Sequence, residues 1–222
     1  DELDDPAFVG RTAAERAVAR LGGRKVKTGD FPVLFEAPLA AGLLGGLVHA
    51  ASGGALYRKS SFLLDHLGKR VMPEFVNVSE RPHILRGLGS AVFDSDGVAT
   101  ADREVVSGGI LQGYFLSAYT ARKLGMQTTG NAGGSHNLII EPGDLDFAGL
   151  LAKMGRGLLV TELLGHGINY VTGDYSRGAA GFWVEDGRVA YPVEEITIAG
   201  NLKDMLAGIV AVGKDVQVRG SK

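Results

Sequence analysis

Thirty-four glycines, set singly or in pairs between apolar runs, constrain this chain more than any other feature. A residue without a Cβ is favoured where the backbone turns through positive φ or where a second backbone comes close. A 222-residue chain with so many such positions is expected to fold with many turns and closely packed strands. Few helices are legible. Residues 6–21 carry Pro6 at a first helical position, Thr12 and Glu15 at capping-box spacing, and Gly22-Gly23 as a stop. A small-residue helix is expected over 39–51, a short one over 118–124 before Gly125, one over 145–154 with Asp144 as N-cap, and one over 201–210 capped by Asn201.

Strand patterns are more numerous. They cover 31–35, 75–78, 98–106 and 110–117 about Ser107-Gly108-Gly109, then 137–140, 158–163 and 168–172. A hairpin over 180–185 and 189–193 turns at Asp186-Gly187, and 196–198 and 216–218 alternate again. Helices scattered among hairpins, without regular βαβ alternation, predict an α+β fold with a mainly antiparallel sheet and a few packed helices. Residues 1–30 read as the helix and connector that end a missing N-terminal domain. Residues 31–222 read as one further domain, truncated at its end, so the chain is expected to be a piece of a longer protein.

Composition narrows the function. A formal net charge of -2 gives no general attraction to phosphate backbones, so no nucleic-acid partner is expected. The longest apolar run, 38–51, is too short and too broken by glycines and His49 to span a bilayer, so no membrane partner is expected. No cysteine is present, which removes disulfides and thiolate metal sites and fits a reducing cytoplasm.

The stretch TGDYSRGAAGFWVEDG, 172–187, is the densest in polar chemistry. Asp174, Tyr175, Ser176 and Arg177 read as a polar tip, followed by Gly178-Ala179-Ala180-Gly181 and the only tryptophan, Trp183. Such a surface suits an extended chain or a partner subunit. Three other features each have two readings. The glycine-rich run 128–136, with Thr129, Gly130, Asn131, Gly133 and Gly134, lines a cleft or makes a wide connection. Gly53-Gly54 with Arg58 and Lys59 holds an anion or forms a basic turn. Glu162 and His166, four apart, hold a metal with His136 or lie in a strand and a turn. Asp94-Ser95-Asp96-Gly97 lacks the downstream acidic ligands of a calcium loop and reads as a turn.

Six strings in one order, YRKSSFLLDHLGK, FDSDGVAT, ARKLGMQTTGNAGG, VTELLGHG, TGDYSRGAAGFWVEDG and YPVEEITIAGNLKDM, resemble the TldD/PmbA family. The PmbA branch, also called TldE, is the nearer match, over the C-terminal half. The resemblance implies a cytoplasmic two-subunit peptidase acting on unfolded or leader peptides, a family also labelled modulator of DNA gyrase. It implies a zinc-binding His-Glu-x-x-x-His helix in the TldD-type subunit. The matching positions here are Ala40, Ala41, Gly42, Leu43, Leu44 and Gly45, which offer no ligand and no base. The expected role is therefore a supporting, non-catalytic subunit that binds no cofactor itself. Zinc is expected in a TldD-type partner, joined as a heterodimer, with a homodimer also open. Its expected peptide- or partner-binding groups are Arg58-Lys59-Ser60, the 129–134 loop and Asp174 to Arg177. A self-sufficient metallopeptidase using Glu162 and His166, and a DNA- or gyrase-binding protein, are the competing readings.

Overall fold

A computed structural model describes residues 4–218. Helix α1 (Pro6–Ala19) starts at Asp5, whose carboxylate accepts from Ala7 N–H while Pro6 occupies the first turn. Thr12 and Glu15 therefore lie inside the helix, and the capping-box expectation is corrected. Strand β1 (Val33–Phe35) leads into α2 (Ala37–Ala50) and the one-turn α3 (Gly53–Tyr57). Next come β2 (Val78–Glu80), β3 (Arg103–Ser107), β4 (Ile110–Leu111), α4 (Ala118–Leu124), β5 (Leu138–Ile140) and α5 (Phe147–Met154). The chain continues through β6 (Gly157–Leu164), β7 (Asp174–Glu185), β8 (Arg188–Asn201) and α6 (Leu202–Ala207).

The strands form two four-stranded sheets, ordered β1-β6-β7-β8 and β4-β3-β2-β5, in which only the β1–β6 pair is parallel. The α+β expectation holds, with the sheet divided in two. Leu44, Leu47 and Ala50 of α2 share one buried cluster with Tyr175, Ala179, Trp183, Val193 and Ile198 of the first sheet and with Leu202 and Leu206 of α6. The same cluster runs on through Val78, Val105, Val106, Leu111 and Leu138 of the second sheet. Behind the first sheet, α5 buries Leu151 on Leu159 and Val184. Beside α5 a groove of about 700 Å³ separates α1 from the sheet, spanned by the ion pairs Arg16–Glu36 and Arg20–Glu162. No side chain of α1 is buried.

Several local expectations shift by a few residues. Strand β2 begins at Val78, where 75–78 was expected to alternate, because Asn77 turns its side chain to Gly108 N–H and Glu141. Asp146, two residues after the expected cap, accepts from Gly149 N–H and starts α5. Residues 168–172 fold as a turn with one bridge, Ile168 to Tyr175, because Asn169 captures Val171 N–H and Gly173 N–H. The runs 189–193 and 196–198 merge into β8 across Glu195, whose φ is 52°. Residues 216–218 form no strand.

Candidate functional site at the small-residue helix

The polar stretch expected as a tip is the opening of β7, and that reading is corrected. Asp174 to Arg177 pair with Asn201 to Ile198 of β8 on one side. On the other side Asn169 N–H donates to Asp174 O and Ser176 N–H to Gly167 O, at 2.8 and 2.7 Å. Their backbone is inside the sheet, not at a free edge. The glycines and alanines behind them have an equally internal use. A Cβ on Gly181 would stand 1.9 Å from Leu159 O, and one on Gly167 would stand 1.6 Å from Ser176 O, so small residues here let neighbouring strands close up.

Side chains alternate along β7, and the inward row is Tyr175, Arg177, Ala179. Asp174 points out and is held by Thr172 Oγ1 at 2.6 Å. Tyr175 is 2% exposed. Arg177 is an unusual companion for it on the core-facing side, since arginine is seldom buried without a partner. Both line a narrow crevice with Leu39, Gly42, Leu43 and Gly46 of α2, together with Leu163, Ile168 and Leu202. The crevice holds only about 10 Å³. Tyr175 Oη and Arg177 Nε are both buried without a well-aligned hydrogen bond, yet the Arg177 side chain lies within bonding reach of the phenol oxygen. A guanidinium can only donate, so the phenol O–H proton has no acceptor. Burial pushes the Tyr175 phenol up, against the pull of the Arg177 charge close by.

No metal fits this place. Its lining supplies no histidine and no carboxylate, and its one charged group is a cation. The alternative ligands do not converge. Glu162 is tied to Arg20 on the outer face, His166 is exposed in the turn after β6, and His136 contacts Gly130 O at 3.1 Å in the glycine-rich loop. Among the described residues no three histidine, aspartate or glutamate side chains group as a metal site would require.

The other two expected regions lie elsewhere. Arg58 ends α3, Lys59 takes a φ of 55°, and Ser60 bonds back to Ala55 O, so this is an exposed basic turn. The loop 129–134 is a wide connection whose polar groups face inward. Asn131 donates to Glu80 Oε1 at 2.8 Å and accepts from Thr129 Oγ1 at 2.7 Å. Ala132 N–H donates to Asp94 Oδ2, and Gly130, Gly133 and Gly134 all adopt positive φ. Glu80 and Arg103, which hold this loop, escape the sequence reading, and Asp94 is read there only as part of a turn, because nothing local marks these charges as paired in the interior. Among the described residues no hydrogen bond or ion pair joins the basic turn, the loop and the start of β7 to one another.

Residues 28–222 match the family model described as the PmbA/TldA metallopeptidase C-terminal domain. The chain belongs to the PmbA/TldD family. A metalloprotease PmbA homolog of Haemophilus influenzae is 54% identical over 99% of this chain and 49% of its own length. A Thermotoga maritima crystal structure, of a protein described as a modulator of DNA gyrase, superposes with a TM-score of 0.92. It is 36% identical and covers 99% of this chain and 53% of its own. TldE from Thermococcus kodakarensis gives 0.81 at 25% identity, covering 94% and 50%. The chain thus spans about half the length of these PmbA/TldD relatives. No helix among the described residues is long and apolar enough to cross a membrane.

Proposed function

We propose that this chain is the C-terminal part of a supporting subunit in a cytoplasmic PmbA/TldD-type zinc metallopeptidase, and that its partner is a metal-bearing TldD-type subunit. The carrying observation is the narrow crevice at α2, lined by apolar side chains and provided with an arginine where a metal site would need donors. Zinc in this account belongs to the partner, where it would supply Lewis-acid polarisation of the scissile carbonyl and activation of water. This chain contributes shape and substrate grip.

The substrate class is an unfolded or leader peptide in extended form. Strand β8 borders the first sheet, and Arg24 pairs with its outer side only at Pro192 and Glu194. Among the described residues, the outer backbone from 196 to 200 has no partner. An extended peptide added there would be held by main-chain hydrogen bonds that ignore sequence. Arg58, Lys59 and Ser60, with the 129–134 loop, are proposed as partner-facing supports.

The test is reconstitution. The chain, alone and mixed with a zinc-loaded TldD-type subunit, is assayed for assembly by light scattering and for cleavage of an unstructured peptide. A mixed assembly whose cleavage rate exceeds that of either component is the expected result. A chain that never joins the partner and leaves its activity unchanged defeats the proposal.

A further inference from the structure

Two buried tyrosines of the same core make an instructive contrast. Tyr114, 6% exposed, uses its hydroxyl fully: Oη accepts from His66 N–H and Leu67 N–H and donates to Leu63 O, all at 3.1–3.2 Å. Tyr175, 2% exposed, has only the Arg177 side chain near its hydroxyl, a donor that leaves the O–H proton without an acceptor. A buried polar group left unsatisfied is expensive, so a core that tolerates one at an opening is arranged for a visitor. Beside it Arg177 Nε–H is also buried and unpaired, and Arg177 forms no ion pair among the described residues. Both side chains line one crevice. Its volume of about 10 Å³ is close to that of a single oxygen-sized probe.

The crevice has a mouth. Gly42 of α2 lies on its lining and is exposed, and a Cβ there would meet nothing within 4 Å. A larger residue would stand across the entrance. The remaining lining is apolar, from Leu39, Leu43, Leu163, Ile168 and Leu202, so an oxygen that enters finds only the tyrosine hydroxyl and the guanidinium as donors. One neutral donor plus one unpaired cation, both facing a low-dielectric slot, match an anionic oxygen better than a neutral carbonyl. A metal ion is the wrong sign for this slot.

We propose that the Tyr175–Arg177 crevice binds one oxygen of a peptide carboxylate, Tyr175 Oη and Arg177 Nε each donating a hydrogen bond to it. The rest of the carboxylate stays at the mouth by Gly42. This deepens the peptide-gripping role and rests on that reading. In strand register Arg177 faces Ile198 and Tyr175 faces Gly200, so the crevice sits level with the open part of β8, one strand further in. A chain end or an acidic side chain leaving that edge is the natural source of the carboxylate.

The experiment measures binding of three capped tripeptides to the chain by calorimetry. The probes are N-acetyl-Ala-Ala-Ala as free acid, the same peptide as C-terminal amide, and N-acetyl-Ala-Glu-Ala amide. The free acid is expected to bind at least about tenfold more tightly than its amide, the worth of one charge-assisted hydrogen bond. Comparable binding of the glutamate peptide assigns the site to side-chain carboxylates as well; its failure restricts the site to chain ends. Tyr175→Phe and Arg177→Gln should each erase the acid preference, and Tyr175→Phe should do so without lowering the melting temperature. Gly42→Leu, which leaves the sheet untouched and blocks the mouth, should erase it too. Equal binding of acid and amide, or an acid preference that survives all three substitutions, overturns the crevice and leaves the β8 grip standing. Absence of binding by every probe overturns the crevice, while the subunit role is then decided by reconstitution alone.

Discussion

Glu80 is the most consequential buried charge. It is 2% exposed and accepts from Arg103 Nε at 2.6 Å, from Asn131 at 2.8 Å and from His136 N–H at 2.6 Å. One carboxylate therefore ties β2 to β3 and anchors the glycine-rich loop. Glu80→Ala strands Arg103, which also donates to Tyr114 O and lies on the Phe115 ring. Equilibrium denaturation should show a loss of about 3–5 kcal/mol, the scale for breaking a buried ion pair from one side. Glu80→Gln, which keeps an acceptor for the loop, should lose less. Asp94 carries a pH signature. Burial works against its charged form, but N–H groups of Ala132, Val98 and Asp96, with the nearby His136, prevail and hold the carboxyl below the usual range. A depressed folded value means that this stabilisation is complete above the ordinary carboxylate range, near pH 4, and is lost as pH falls through the folded value. Asp94→Asn should flatten the acid limb of a melting-temperature profile below about pH 4 and leave its slope near pH 7 unchanged. An acid limb of identical steepness in both proteins would remove Asp94 from the account.

Elements whose ends depend on nearby side chains are legible in the sequence to within a few residues, although α1 starts at Asp5 and not at a Thr12–Glu15 capping box, and α5 at Asp146 and not Asp144. Gly125 ends α4 in the left-handed region, as expected from the sequence, while the Ser117–Thr120 capping box that starts it is seen only in the structure. Asn201 caps α6 for the same local reason. Asp186 and Gly187, both at positive φ, make the hairpin between β7 and β8. What was not legible depends on distant chain. Asp174 to Arg177 read as a polar tip because they are polar; they are a strand because Gly167, Asn169 and β8 claim their backbone. The hydroxyl proton of Tyr175, left without an acceptor, has no sequence signal at all, since alternation gives its face but not its neighbours. Glycine positions separate the two kinds of constraint. Gly181→Ala forces a Cβ to 1.9 Å from Leu159 O and should destabilise by at least about 1–3 kcal/mol. Gly42→Ala, in the interior of α2 with open space around it, should stabilise by up to about 1 kcal/mol through helix propensity. A paired thermal melt of the two variants checks both signs.

At the scale of the whole molecule, two sheets and α2 share one core, and the small-residue helix is a packing element within it. Family membership sets a metallopeptidase context, and the supporting place of this chain in it is our proposal. Where α2 meets β7 the structure supplies leucines, glycines and a guanidinium. The direct measurement is zinc content of the isolated chain after equilibrium dialysis against zinc, taken with its hydrolysis of an unstructured peptide. The account predicts no stoichiometric zinc at α2 and no hydrolysis until a metal-bearing partner is added. One zinc per chain, lost when α2 is altered and accompanied by peptide cleavage from this chain alone, would contradict it.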